Sequence, residues 1–216
     1  MSEEPTLITA DHVRYLAART RQEDEFLKSL KEAARAAGIP AIWIAPEQVS
    51  LVQILLRLCA ARAVVEVGTL AGSSAIAMAR ALPAGGQVHT IEIDPARASF
   101  ASQWIARSDV AGRVVVHLGA GEEVLPNFSD ESVDAVLLDA NKSGLQGQLR
   151  EAVRILRHRG LLLVDNAFAF GQILSPEPED PDVPAIRQFN DLLAHHPGLH
   201  SIIVPLGDGI WVGVKL

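Results

Sequence analysis

The stretch Val64-Val-Glu-Val-Gly-Thr-Leu-Ala-Gly72 decides the fold. It passes from β-branched residues through a glycine turn into a segment of small residues, and reads as strand, turn, helix. Outward from it, short apolar runs alternate with amphipathic stretches. The runs are 63–67, 88–93, 113–118, 133–138 and 161–164, each too short for a buried helix. Between them the pattern predicts helices over 72–82, 95–108 and 143–157. That alternation means βαβ units and a parallel sheet covered on both faces.

The two ends of the chain read differently. At the C-terminus, apolar runs 200–206 and 210–216 are joined by Gly207-Asp208-Gly209, a turn short enough only for antiparallel neighbours. The fold expected is therefore α/β and Rossmann-like, a seven-stranded, mostly parallel sheet whose last strand is antiparallel. Residues 9–60 are helical in pattern. Val13, Leu16 and Ala17, then Phe26, Leu27 and Leu30, recur at helical spacing, Gly38-Ile-Pro40 breaks the run, and a second helix fits 46–59. A single domain over 1–216 is expected, with a helical segment 1–60 and a core 61–216. The segment 175–184 holds four prolines and four acids and reads as an exposed loop.

Composition narrows the function. The chain has 216 residues, 49% of them apolar and 21% charged, which is ordinary globular composition. Its net charge of −7 argues against a grip on a nucleic-acid backbone. The longest stretch without Asp, Glu, Lys or Arg, 192–207, contains three histidines and two prolines and is no membrane span. The N-terminus lacks the apolar core of a signal peptide. Cys59 is the one cysteine, which fits a reduced, cytoplasmic setting.

The chemistry lies at the carboxyl ends of the predicted strands, where ligands bind in open parallel sheets. Gly68 lets a ligand approach the backbone closely. The glycine spacing is G-x-x-x-G, not the dinucleotide pattern G-x-G-x-x-G, and Glu66 places a carboxylate where a pyrophosphate would be repelled and a cation attracted. S-adenosylmethionine carries a sulfonium and an ammonium and no phosphate, so it suits this turn. Glu92 follows Gly68 by 24 residues, about where an acid accepts hydrogen bonds from ribose hydroxyls. Ser74 opens the next helix and reads as a donor to the cofactor's carboxylate. Two later strands end in Asp139 and in Asp165-Asn166. Neighbouring strands would bring these oxygens together, and carboxylates brought together call for a cation or a proton between them. An all-oxygen set selects a hard cation such as Mg²⁺. Lys142, three residues beyond Asp139, becomes a candidate general base, because a nearby cation disfavours its charged form. The same residues also admit plain readings, as helix caps and a solvated lysine. The histidines read as surface residues, and Cys59 as an inert core residue.

Together these segments resemble the metal-dependent O-methyltransferases typified by catechol O-methyltransferase and the caffeoyl-CoA O-methyltransferases. The resemblance runs from about Val13 to the C-terminus. It rests on Val65-Glu-Val-Gly-Thr-Leu-Ala-Gly-Ser-Ser74, Thr90-Ile-Glu-Ile-Asp94, Gly119-Ala-Gly-Glu-Glu123, Asp139-Ala-Asn-Lys142, Asp165-Asn166, Phe189-Asn190 and the Gly207-Asp-Gly209 turn. It implies transfer of a methyl group from S-adenosylmethionine to a phenolic or catechol-like hydroxyl. Glu66, Gly68, Ser74, Glu92, Gly121, Glu122 and Asp139 would surround the cofactor. Asp139, Asp165 and Asn166 would hold Mg²⁺, Ca²⁺ or Mn²⁺. Lys142 and Asp139 would be catalytic. The chain departs from the family at Asn141, often Asp there, and at Leu70, Ser73 and Leu145, often tyrosine. Ala169 stands where the plant enzymes have tryptophan. The acceptor pocket is thus remodelled, with Trp43, Phe168, Phe170 and Trp211 left as aromatic walls, the first two beside Lys142 as expected acceptor contacts. A homodimer through residues 1–45 is expected. A nucleotide-dependent oxidoreductase and a non-catalytic S-adenosylmethionine-binding protein remain the alternatives.

Overall fold

The computed structural model describes residues 8–139 and 144–216. Seven strands form one sheet in the order β3-β2-β1-β4-β5-β7-β6. They are β1 (Ala63–Val67), β2 (Gln87–Glu92), β3 (Val114–Leu118), β4 (Val133–Leu138), β5 (Leu156–Val164), β6 (Leu199–Val204) and β7 (Ile210–Lys215). β1 pairs in parallel with β2 and β4, as do β2 with β3 and β4 with β5. β7 runs antiparallel to both β5 and β6, the reversal that the Gly207-Asp-Gly209 turn requires. Strand order reverses at β1 and β4, so their carboxyl ends form the crevice.

Both sheet faces are buried, which explains the near-continuous apolar strands. Val64, Ala135, Leu137, Leu161 and Leu163 enter one core cluster. Their alternating neighbours Val65, Val67, Val136, Leu138, Leu162 and Val164 enter the other. The first cluster is closed by α2 (Glu25–Ala36), α3 (Pro46–Leu58), α4 (Ser73–Ala81) and α5 (Pro95–Ala106). Leu30 and Leu56 are fully buried there; truncating either to alanine costs about 2–5 kcal/mol. The second cluster is closed by α7 (Leu145–Ile155) and α8 (Val183–Ala194). The remaining α-helices among the described residues are α1 (Ala10–Ala17), which buries no residue, and the single turn α6 (Gly121–Val124).

Three expectations are corrected. The N-terminal run holds two helices, because Asp24 caps α2 by accepting from the Leu27 N–H at 3.0 Å. β5 starts five residues earlier than its leucine run, directly after α7. The proline-rich acidic segment is exposed only in part, since α8 begins at Val183, which is fully buried against Ala169 and Ile186. The described residues contain no helix long and apolar enough to cross a membrane.

Candidate active site

A cavity of about 860 Å³ opens at the carboxyl ends of the central strands. The turn after β1 forms its floor. Gly68 and Gly72 have φ of 105° and 89°, values that side-chain-bearing residues rarely adopt. The Gly68 and Thr69 N–H groups donate to the Ile91 carbonyl at 2.9 and 3.2 Å, which ties this turn to β2. Glu92, at the end of β2, is only 5% exposed. Its carboxylate accepts from the Leu70 N–H at 2.8 Å and from the Asp94 N–H at 3.0 Å, so backbone donors hold it at the cavity wall.

Glu66 lies behind that turn, fully buried and outside the cavity lining. Thr90 Oγ1 donates to its Oε2 at 2.6 Å, while Oε1 has no hydrogen-bond partner. Burial pushes its pKa up to about 7, against the pull of the nearby Ser74 and Thr90 hydroxyls and with a small push from Glu92. Ser74 also does not line the cavity. It acts on Glu66 rather than facing the space a ligand would fill.

Gly121 opens α6 at one end of the cavity. A Cβ there would lie 2.8 Å from Val67 Cγ1, so any side chain would force a shift at Val67. Glu122 follows, and its Oε1 accepts from Gln148 Nε2 at 3.1 Å. Gln148 is 4% exposed, and its own Oε1 has no partner.

The other end is acidic. The Asp139 N–H donates to the Val67 carbonyl at 2.8 Å and the Asp165 N–H to the Leu138 carbonyl at 3.1 Å. The strand ladders therefore run one residue past β4 and β5, and put both acids at adjacent strand ends. Gln48, from the first turn of α3, donates its amide to Asp165 Oδ1 at 2.6 Å. Asn166 Nδ2 donates to Asp208 Oδ2 at 3.1 Å, so the amide oxygen of Asn166 is the atom of this side chain that could serve a cation. Asp208 also accepts from the Phe170 N–H at 2.8 Å. That bond pins a turn in which Asn166, Ala169 and Phe170 all have positive φ near 50–65°, a conformation that side-chain-bearing residues hold only when neighbours impose it. Two carboxylates and one amide oxygen form a donor set that fits a hard divalent cation. Among the described residues no group of three or more His, Cys, Asp or Glu side chains is placed to hold a metal ion.

The residues named from sequence fall into three groups. Trp43, Gly68, Glu92, Gly121, Glu122, Asp139, Asp165 and Asn166 line the cavity, and Phe170 does too. Lys142, with Asn141, lies outside the described residues. Phe168 and Trp211 depart from the expected walls. The Phe168 ring packs over Gly209, where a Cβ would come within 2.9 Å of it, and Trp211 is buried with its indole N–H on Asn190 Oδ1 at 2.7 Å. Leu145 and Ala169 are buried, at 3% and 0% exposure, and offer no wall.

The sequence reading passed over Gln48, Arg97, Gln148, Asp182 and Asp208, all cavity residues. An acid between two glycines was a usable signal for Asp208. Buried glutamines leave no periodic trace. The histidines also need correction: His89 Nδ1 and His117 Nε2 lie 3.0 Å apart on β2 and β3, both half-buried, and burial lowers both pKa values. Cys59 is half-buried, and burial raises its thiol pKa, which keeps it protonated.

A switch-point cavity with a glycine-floored turn, a backbone-held acid at the end of β2 and an acid pair at the ends of β4 and β5 fits an S-adenosylmethionine-dependent methyltransferase. The chain belongs to the O-methyltransferase family, whose model matches residues 17–216. Catechol O-methyltransferase of Niastella koreensis is 33% identical over 210 residues, spanning 96% of this chain and 92% of that protein. Catechol O-methyltransferase of Mycobacterium tuberculosis is 33% identical over 195 residues, spanning 90% and 88%. Among solved structures, the Bacillus cereus O-methyltransferase in complex with SAH superposes with a TM-score of 0.85 at 28% identity, covering 94% of this chain and 96% of that one. The Streptomyces achromogenes O-methyltransferase of tomaymycin synthesis, in complex with SAM, gives 0.81 at 29% identity, covering 95% and 96%. Family membership displaces both the oxidoreductase and the non-catalytic alternatives.

Proposed function

We propose that this enzyme methylates a hydroxyl of a phenolic or catechol-like small molecule, with S-adenosylmethionine as donor and a divalent cation, Mg²⁺ or a similar ion such as Ca²⁺ or Mn²⁺, at the acid end. The observation that carries this reading is that Asp139, Asp165 and Asn166 line the same cavity as Glu92 and Gly121. Two relatives named catechol O-methyltransferase support the acceptor class. Asp139, Asp165 and the Asn166 amide oxygen hold the cation; when bound, it supplies Lewis acidity that lowers the pKa of a hydroxyl it touches. Glu92 accepts from the cofactor ribose, while Gly68 and Gly121 leave room for its body. Glu66 and Ser74 set the charge beneath it. Lys142 accepts the hydroxyl proton at Nζ, a role that rests on its spacing from Asp139. Trp43 and Phe170 wall the acceptor, and Phe168 supports that wall through Gly209. Holding donor and acceptor in line supplies roughly 7–11 kcal/mol of barrier lowering. The test is labelled-methyl transfer to catechols, flavonoids and hydroxycinnamoyl thioesters, with and without EDTA. Transfer to none of them rejects the acceptor class.

The same reading includes a homodimer, one domain per chain and a cytoplasmic setting, the last fitting a single cysteine. α1 supports the dimer. An eight-residue helix that buries nothing is unstable alone in water. Its Val13 and Tyr15 are exposed, as are Ile54 and Leu58 on α3. Light scattering should give about twice the 23.1 kDa chain mass; the monomer mass at micromolar concentration rejects the dimer.

A further inference from the structure

Two histidines meet on an open part of the sheet, and neither lines the cavity. His89 on β2 is paired with Val115 on β3, so His117, two residues further along β3, shares its face and lies diagonally across from it. α7 packs on β4 and β5, whereas β3 is an edge strand and Val115 is 39% exposed. His89 Nδ1 and His117 Nε2 are 3.0 Å apart, and the two rings are stacked at 29°. Phe128, beyond α6, meets both rings at a steep angle, with centroids 5.5 and 5.9 Å away. The far nitrogens, His89 Nε2 and His117 Nδ1, bond to no described residue.

The separation between the facing nitrogens is one that two ligands of a single metal ion span. With metal–nitrogen bonds of about 2.0–2.1 Å, neighbouring ligands at roughly 90–110° sit about 2.9–3.4 Å apart. Burial lowers both pKa values, and His117 lowers that of His89 further, so both rings are neutral at pH 7, the form that binds metal. We propose that His89 and His117 form a two-imidazole chelate for a borderline transition-metal ion, Cu²⁺, Ni²⁺ or Zn²⁺, distinct from the all-oxygen set at the acid end. Imidazole suits these ions, whereas carboxylate and amide oxygens suit Mg²⁺. In the free pair one ring presents a hydrogen to the other, since two bare nitrogens would repel. Binding moves that hydrogen through solvent to the far nitrogen of the same ring, so both facing nitrogens offer lone pairs and no net proton is released. The protein supplies two ligands and solvent the rest. The ion staples edge strand β3 to β2, the strand that ends in Glu92.

The test is titration of the full chain with Cu²⁺, the most tightly held of these ions, read by electron paramagnetic resonance. Excess Mg²⁺ is present throughout, to fill the acid end without competing for nitrogen. Wild type should bind one Cu²⁺ whose signal carries coupling to two imidazole nitrogens, and Zn²⁺ should displace it. His117→Gln should lose that signal. His195→Gln, a change in the exposed pair next to Pro197, should keep it. A wild-type spectrum with one imidazole nitrogen or none overturns the inference, whether or not the variants fold. A two-nitrogen signal that survives in a folded His117→Gln, or that disappears in His195→Gln, places the ion on other histidines and overturns it too.

Discussion

The two ends of the cavity are built by opposite means. The cofactor end comes from regular structure. A glycine turn, a strand end and a one-turn helix present backbone and a few side chains, each fixed by close neighbours in the sheet. The acid end comes from long-range side-chain clasps. Gln48 holds Asp165 across 117 residues, and Asp208 holds Asn166 across 42. The first end is dictated by sheet geometry; the second depends on particular side chains meeting after the sheet has formed. The two should therefore fail separately.

The largest effect should come from the acid end. Excess EDTA is expected to take methyl transfer to background and Mg²⁺ to restore it. Asp165→Ala should reproduce the chelated state while calorimetry still shows S-adenosylmethionine binding. Full turnover in EDTA would falsify the metal-assisted reading and leave the fold untouched. At the cofactor end, Glu92→Ala should weaken S-adenosylmethionine by roughly ten- to hundredfold, the worth of a charge-assisted hydrogen bond of about 1.5–3 kcal/mol. Unchanged affinity would remove Glu92 from the ribose role and leave it as a brace for the Leu70 and Asp94 amides.

Glu66 tests the floor that both ends share. Its pKa rises from an ordinary 4.5 to about 7 on folding. Below pH 4.5 it is protonated folded and unfolded, and ionisation costs nothing. As pH rises from 4.5 to 7 the unfolded chain ionises first, so stability is lost, and above 7 the loss is complete. Glu66→Gln does not ionise. Its melting temperature relative to wild type should climb across that window and then level off. A difference that does not change with pH would show that burial does not perturb Glu66.

The smallest effect should come from Trp43. It lines the cavity and also packs against the core, with Lys31 Nζ 5.6 Å from its ring centroid. Trp43→Ala should raise the acceptor KM by roughly two- to tenfold, as loss of a stacking wall worth about 0.5–1.5 kcal/mol implies. S-adenosylmethionine affinity should stay within about twofold. A matching loss of cofactor affinity would assign Trp43 to the core.

The same contrast explains what the sequence made legible. Glu92, Gly121 and the Asp139 and Asp165 pair could be placed because strand periodicity and turn glycines put them at strand ends. Gln48 and Gln148 could not, because a buried amide in a helix looks like any polar surface residue until its partner is known. Phe168 and Phe170 were separable only in three dimensions. Positive φ at Ala169 and Phe170 turns the first ring onto Gly209 and the second toward the cavity. The start of α8 was hidden by prolines, one of which sits in its first turn, where a missing N–H does no harm.

The Gln48–Asp165 bond also sets a timetable. At roughly 5–20 residues per second on the ribosome, Gln48 is made about 6–23 s before the partner 117 residues downstream exists. Through that interval α3 can pack only on itself, on the other N-terminal helices and on whatever of β1 and α4 has emerged. The hairpin that crowds Gln48 from the far side, at Gly207, arrives later still. The cofactor end can close early; the acid end waits for Asp208, 42 residues after Asn166.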